Sequence, residues 1–115
     1  MTEALDIRDD RANGRLDAYE DGRHAGGISY FVLDGPPHAL VAVHTVVERS
    51  HRGKGVGSIL ARAFYGMAAR AGVPAVPICP YAARWAGEHP DEAPEAPAEL
   101  VAEAERQLEA RPELR

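Results

Sequence analysis

A single cysteine, Cys79, stands among the 115 residues, so no internal disulfide can form. A secreted domain of this size would ordinarily carry several. No apolar run approaches the roughly 18 residues that a membrane span needs. The opening residues, Met1 to Asp10, lack the basic start and apolar stretch of a signal peptide. These absences predict a cytoplasmic chain with no membrane partner. Aromatic residues are few and a wide basic face is missing, which argues against a nucleic-acid adaptor. His24, His38, His51 and His89 show no ligand spacing with one another or with Cys79, so no metal is expected.

What remains is an ordinary globular composition, 45% hydrophobic and 27% charged, at a length that suits one core. Charge is uneven. Residues 1–89 hold ten acidic and ten basic side chains, whereas residues 90–115 hold eight and three, so the tail supplies the whole net charge of −5. Only Arg49, His51, Arg52 and Lys54 gather into a local cationic spot.

Four strands are predicted first: Leu5 to Asp9, Arg15 to Glu20, Ala25 to Leu33 and His38 to Val47. Asn13-Gly14 and Asp21-Gly22 give the first two turns, and Asp34-Gly35-Pro36-Pro37 breaks off the third strand. The fourth strand is almost continuously apolar and β-branched, as a strand covered on both faces should be. A helix follows, because Val56, Ile59, Leu60, Ala63, Phe64, Met67, Ala68 and Ala71 fall at helical spacing and Gly72 supplies a stop. Val73 to Cys79 resumes a strand, made an edge or unpaired by Pro74 and Pro77. A short helix then runs from Pro80 to His89. The acidic, proline-bearing stretch 91–97 reads as a linker with few core contacts, and Leu100, Val101, Ala104 and Leu108 suggest a last helix with a narrow seam. The expected division is thus a domain over 1–90 and a linker with helix over 91–115. The fourth strand, long helix and fifth strand form a right-handed βαβ unit, giving an α+β fold whose mixed, mostly antiparallel sheet carries helices on its faces.

The segment Arg49-Ser50-His51-Arg52-Gly53-Lys54-Gly55-Val56-Gly57-Ser58 joins a central strand to the N-terminus of the long helix. Unpaired N–H groups and the helix dipole attract negative charge there, and glycines let the backbone approach a phosphate. The Walker pattern fails, because Glu48 stands where its first glycine belongs and Gly55 follows Lys54; the dinucleotide spacing fails as well. Arg52, Gly55 and Gly57 match the form Gln/Arg-x-x-Gly-x-Gly/Ala. In this the chain resembles the GNAT acetyltransferase superfamily, and its short single-domain subfamily in particular. His44-Thr45, Pro77-Ile78-Cys79-Pro80-Tyr81 and His89-Pro90 carry the subfamily likeness, which spans about residues 5–90.

The resemblance implies an acetyl-CoA site. Its pyrophosphate would lie on Arg52, Gly53, Lys54, Gly55, Val56, Gly57 and Ser58, and its pantetheine arm beside Val46 and Val47, where strands four and five splay apart. It implies Cys79 as an acyl carrier, against the plainer reading of a small buried residue. His44 is a base toward the amine or toward Cys79, or else a satisfied core histidine. Tyr81 is a proton donor to the departing thiolate. Two departures stand out: Val46 occupies the place where relatives carry an acidic residue, leaving Glu48 as the nearest carboxylate, and Trp85 replaces a Tyr or Phe. The function implied is an N-acetyltransferase acting on a small-molecule or protein amine, the alternative being a non-catalytic acyl-CoA-binding module. A monomer or weak dimer is expected.

Overall fold

A computed structural model describes residues 5–114 of the chain. Its sheet has five strands in the order β1-β2-β3-β4-β5: β1 Asp6–Asp10, β2 Arg15–Glu20, β3 Arg23–Val32, β4 Leu40–Val47 and β5 Ala75–Pro77. Three helices join them: α1 Val56–Ala71, α2 Pro80–Glu88 and α3 Ala98–Glu109. The first three pairings are antiparallel, and β4 with β5 is parallel. No helix among the described residues is long and apolar enough to cross a membrane.

The turn residues act as their chemistry dictates. Asp21 and Gly22 both take positive φ, 50° and 79°, the conformation of a two-residue hairpin loop. At the first turn a 3₁₀ segment, Arg11–Asn13, precedes Gly14, which alone takes the left-handed conformation and lies against the Tyr30 carbonyl. Gly72 ends α1 in the same conformation, its N–H bonded to the Ala68 and Ala69 carbonyls. β5 is shorter than Val73 to Cys79 because the ladder stops at Pro77, which has no N–H to offer.

The sheet separates two apolar clusters. On one face α1 and α2 bring Leu60, Phe64 and Trp85 against Ile28, Tyr30 and Leu40. On the other, Phe31, Leu33, Val41, Val43 and Val76 meet Leu100, Ala104 and Leu108 of α3. The expectation of a tail with few core contacts is therefore corrected. Burying Leu100 and Leu108 contributes about 3–6 kcal/mol, a large share of a net stability of roughly 5–15 kcal/mol. The reason is β4 itself: an apolar strand needs cover on both faces, and only α3 supplies the second. The stretch before α3 is also fixed. Ala93 is buried with the first cluster, Ala96 packs on the second, and Glu92 accepts two hydrogen bonds from Arg62 at 2.7 and 3.2 Å.

Candidate active site

β5 pairs with β4 only from Leu40 to Ala42, whereas β4 runs on to Val47. The Ala42 carbonyl closes the ladder by accepting both the Ile78 and the Cys79 N–H at 3.0 Å. Beyond it the strands part, leaving a gap with β4 as one bank. The backbone groups that face this gap follow from register. Glu48 N–H donates to the Ala25 carbonyl of the β3 side, and partners alternate in an antiparallel ladder, so Val46 also bonds toward β3. Thr45 and Val47 then present their N–H and C=O to the gap. Of the two residues expected to line it, Val47 keeps that place. Val46 does not: its backbone serves β3, and its side chain stands 55% exposed.

A second irregularity decides where His44 lies. The β3–β4 register shifts between Ser29 and Tyr30, so that Ser29 faces His44 and Tyr30 faces Ala42, with Val43 the extra residue. Such a bulge interrupts the two-residue alternation of side chains. Leu40 and Ala42 before it, and Val47 after it, pack on the α1 face, while Val43 belongs to the α3 cluster. His44 is exposed and lines a cavity on that α3 side together with Val43. Cys79 belongs to the other cluster, 5% exposed, and its thiol donates to Thr45 Oγ1 at 3.3 Å. The structure thus brings Cys79 together with Thr45, not with His44; the expected His44–Cys79 pair is split by the sheet. Thr45 is the residue that sequence reasoning passed over, although it stood beside His44 in the motif.

At the far end of the gap the chain enters the glycine loop. The loop is anchored by His51, which is buried rather than part of an open cationic patch: Nε2 lies 2.9 Å from Glu20 Oε1 and Nδ1 2.9 Å from Ser50 Oγ. Gly53 and Gly55 both have φ of 80°, and nothing lies within 4 Å of where a side chain would begin. Gly55 is the N-cap of α1 and gives no side-chain cap. The helix ladder opens with Ile59 N–H on the Gly55 carbonyl, so the Val56, Gly57 and Ser58 N–H groups have no acceptor within the helix. Among the described residues no ion pair or side-chain hydrogen bond engages Arg52 or Lys54, and both are exposed. Backbone donors, a helix N-terminus and two unengaged cations converge here, a combination suited to a polyphosphate.

Two loop positions have packing duties besides those expected. At Gly57 a Cβ would lie 2.7 Å from Tyr81 Oη and 2.9 Å from Cζ, so this glycine makes room for the Tyr81 ring. Ser58 Oγ accepts the Trp85 indole N–H at 2.8 Å, which commits that side chain to α2. Both contacts tie the start of α1 to α2, and with it the thiol at the α2 N-cap. Tyr81, in the first turn of α2, is consequently held at the entrance to α1.

The outer part of the α3 face carries a chain of charges. Arg15 donates to Asp17 Oδ1 at 2.8 Å; His24 lies 2.8 Å from the same oxygen through Nε2 and 2.6 Å from Glu48 Oε2 through Nδ1. The hydrogen bond to Asp17, helped by that to Glu48, raises the His24 pKa above its ordinary value against the opposing effect of burial. Burial pushes Asp17 up, but hydrogen bonds from Arg15 and His24 outweigh it and hold the carboxyl below its ordinary value. Glu48, the nearest carboxylate after Val46, is thereby engaged in holding β4 to β3 and β2.

A family model described as GCN5-related N-acetyl-transferase matches residues 15–95. Among solved structures, a ribosomal-protein-alanine N-acetyltransferase from Brucella melitensis biovar Abortus 2308 is 23% identical with a TM-score of 0.58, over 72% of this chain and 62% of that one. An integron cassette protein from the mobile metagenome of V. cholerae is 18% identical with a TM-score of 0.51, over 76% and 57%. The chain thus spans about three-fifths of the length of these structures. Among curated proteins no sequence matches it.

Proposed function

Because the chain belongs to the GCN5-related N-acetyltransferase family, we propose that it moves an acetyl group from acetyl-CoA to an amine. The fold is the GNAT-like α+β arrangement that the sequence predicted. The observation that carries the reading is continuity: the bare backbone of Thr45 and Val47 leads along one gap to the open, uncapped loop from Gly53 to Ser58. An extended amide-bearing arm fits the first, and a pyrophosphate the second.

When bound, the coenzyme supplies an acetyl thioester. The loop amides of Gly55, Val56, Gly57 and Ser58, with the side chains of Arg52 and Lys54, hold the phosphates. Thr45 and Val47 hold the arm by strand-like pairing. His44 accepts the proton that the amine loses as its nitrogen bonds to the acetyl carbon, and the carbon–sulfur bond breaks. The departing thiolate takes a proton from solvent; Tyr81, whose ring rests on Gly57 on the same face as Cys79, helps to shape the loop instead. Direct transfer is favoured over an acyl-Cys79 route because Cys79 is buried, engaged with Thr45, and across the sheet from His44.

The test is acetyl-CoA titration followed by intact mass and an amine panel. Binding tighter than for dephospho-CoA or ATP, loss of binding in Gly55→Val, an acetylated amine and no adduct on Cys79 are expected. Equal binding of all nucleotides would refute the site. Binding without any acetylated amine would leave an acyl-CoA-binding module, and an acetyl adduct on Cys79 would restore the covalent route.

A further inference from the structure

The cavity that contains His44 has walls of unusual charge for a chain of net −5. It measures about 660 Å³, within the range of small-molecule sites. Ser29 and His44 of adjacent strands contribute from the sheet, Arg11 from the turn after β1, Arg15 from the start of β2, and Arg111 and Glu113 from the turn beyond α3. Three arginines and one glutamate therefore line the cavity. Each arginine is held by an acid outside the cavity lining: Arg11 lies 3.8 Å from Asp9, Arg15 2.8 Å from Asp17, and Arg111 pairs with Asp34. Asp9 is itself fixed by the Tyr30 hydroxyl.

Anchored in this way, the guanidiniums are oriented yet remain partly exposed, with side-chain accessibilities of 51%, 39% and 33%. An arginine carries five N–H donors, and no more than three are used by these partners in any one of them. The free donors form a receptor for a planar or tetrahedral anion. A polyamine has no acceptor atoms for these donors.

We infer that the amine acceptor bears an anionic group, a carboxylate or a phosphate, which binds Arg11, Arg15 and Arg111 while its amine reaches His44. The inference rests on the acetyl-transfer reading for the role of His44, but not for the existence of the anion receptor. Matched acceptors test it with acetyl-CoA as donor: phenylalanine against phenethylamine, and phosphoethanolamine against ethanolamine. The expected result is a kcat/KM higher by about 10- to 100-fold for the anionic member of a pair, the scale of one or two charge-assisted hydrogen bonds. The preferred pair distinguishes carboxylate from phosphate.

Arg15→Gln and Arg111→Gln should each lower that ratio several-fold, thermal melts having confirmed that the variants fold. Arg111→Gln is the cleaner of the two, because Arg15 also supports Asp17. Equal or inverted ratios, or ratios indifferent to both substitutions, would overturn the inference. If no amine is acetylated, the transfer reading falls alone, and calorimetric titration of phenylalanine and phosphoethanolamine into the CoA-saturated protein decides the receptor. Saturable binding weakened by Arg111→Gln would sustain it, and no binding would end it.

Discussion

One face of the sheet is closed along its length by α1 and α2, whereas the other is closed only over its β5 side, by α3. The closed face holds the structure together: Trp85 on Ser58 and Tyr81 on Gly57 weld the glycine loop to the helix capped by Cys79. The half-open face exposes chemistry instead, with His44, the anchored arginines and the Asp17–His24–Glu48 chain along its uncovered part. Apolar area therefore limits where α3 can lie, and what it leaves bare is the cavity beside His44.

The comparison breaks most severely if α3 is removed. Deletion of residues 91–115 should abolish the cooperative melt, since it strips one face of Phe31, Leu33, Val41, Val43 and Val76. The milder Leu108→Ala should cost about 2–5 kcal/mol in denaturant titration. A truncated protein that melts cooperatively at an unchanged temperature would show that α3 is no part of the core. On the closed face, Gly57→Ala should destabilise by about 1–3 kcal/mol through its collision with the Tyr81 ring. That loss should largely vanish when Tyr81 is also Ala, and a double-mutant cycle without coupling would contradict the packing.

A smaller effect is expected at the thiol on the closed face. Thr45→Val removes the acceptor of the Cys79 thiol and should cost about 1 kcal/mol, with little change if the Cys79–Thr45 bond is idle. The smallest belongs to the open face, where the charge chain makes stability depend on pH. His24 has a raised folded pKa, so its contribution is complete below the unfolded value near 6.5 and is lost as pH rises through the folded one. Asp17 has a lowered folded pKa; its contribution is complete above the ordinary carboxylate value and is lost as pH falls through the folded one. Both act together between about pH 4 and 6.5. Urea midpoints measured from pH 4 to 9 should lose this maximum in His24→Ala, and an unaltered profile would remove the chain from the stability account.

Much of this was legible in the residues. Helical spacing from Val56 to Ala71 marked α1, and the glycines at 53, 55 and 57 marked the loop, because both are local properties of the chain. The side of the sheet on which His44 falls was not legible, since one extra residue at Val43 reverses the alternation and a bulge leaves no mark in hydropathy. Nor was the docking of α3. Its seam of Leu100, Ala104 and Leu108 is narrow, and the demand for it lay in β4, some sixty positions earlier. An apolar β4 covered on both faces calls for a helix on each, and it is the packing of α1 and α2 on the same face that leaves the second to α3. A second duty of Ser58 and Gly57 was hidden for a related reason: they belong to the loop in sequence but also contact Trp85 and Tyr81 in space.

The bond from Arg111 to Asp34 joins residues 77 positions apart, and that separation governs how the molecule is born. A nascent chain that has emerged only as far as Pro90 holds every strand and both helices of one face, yet it displays the other as a bare apolar sheet. Such a surface is sticky until α3 arrives. Translation stalled between Pro90 and the end of α3 would release an aggregation-prone intermediate, so the interval between α2 and α3 is the hazardous one.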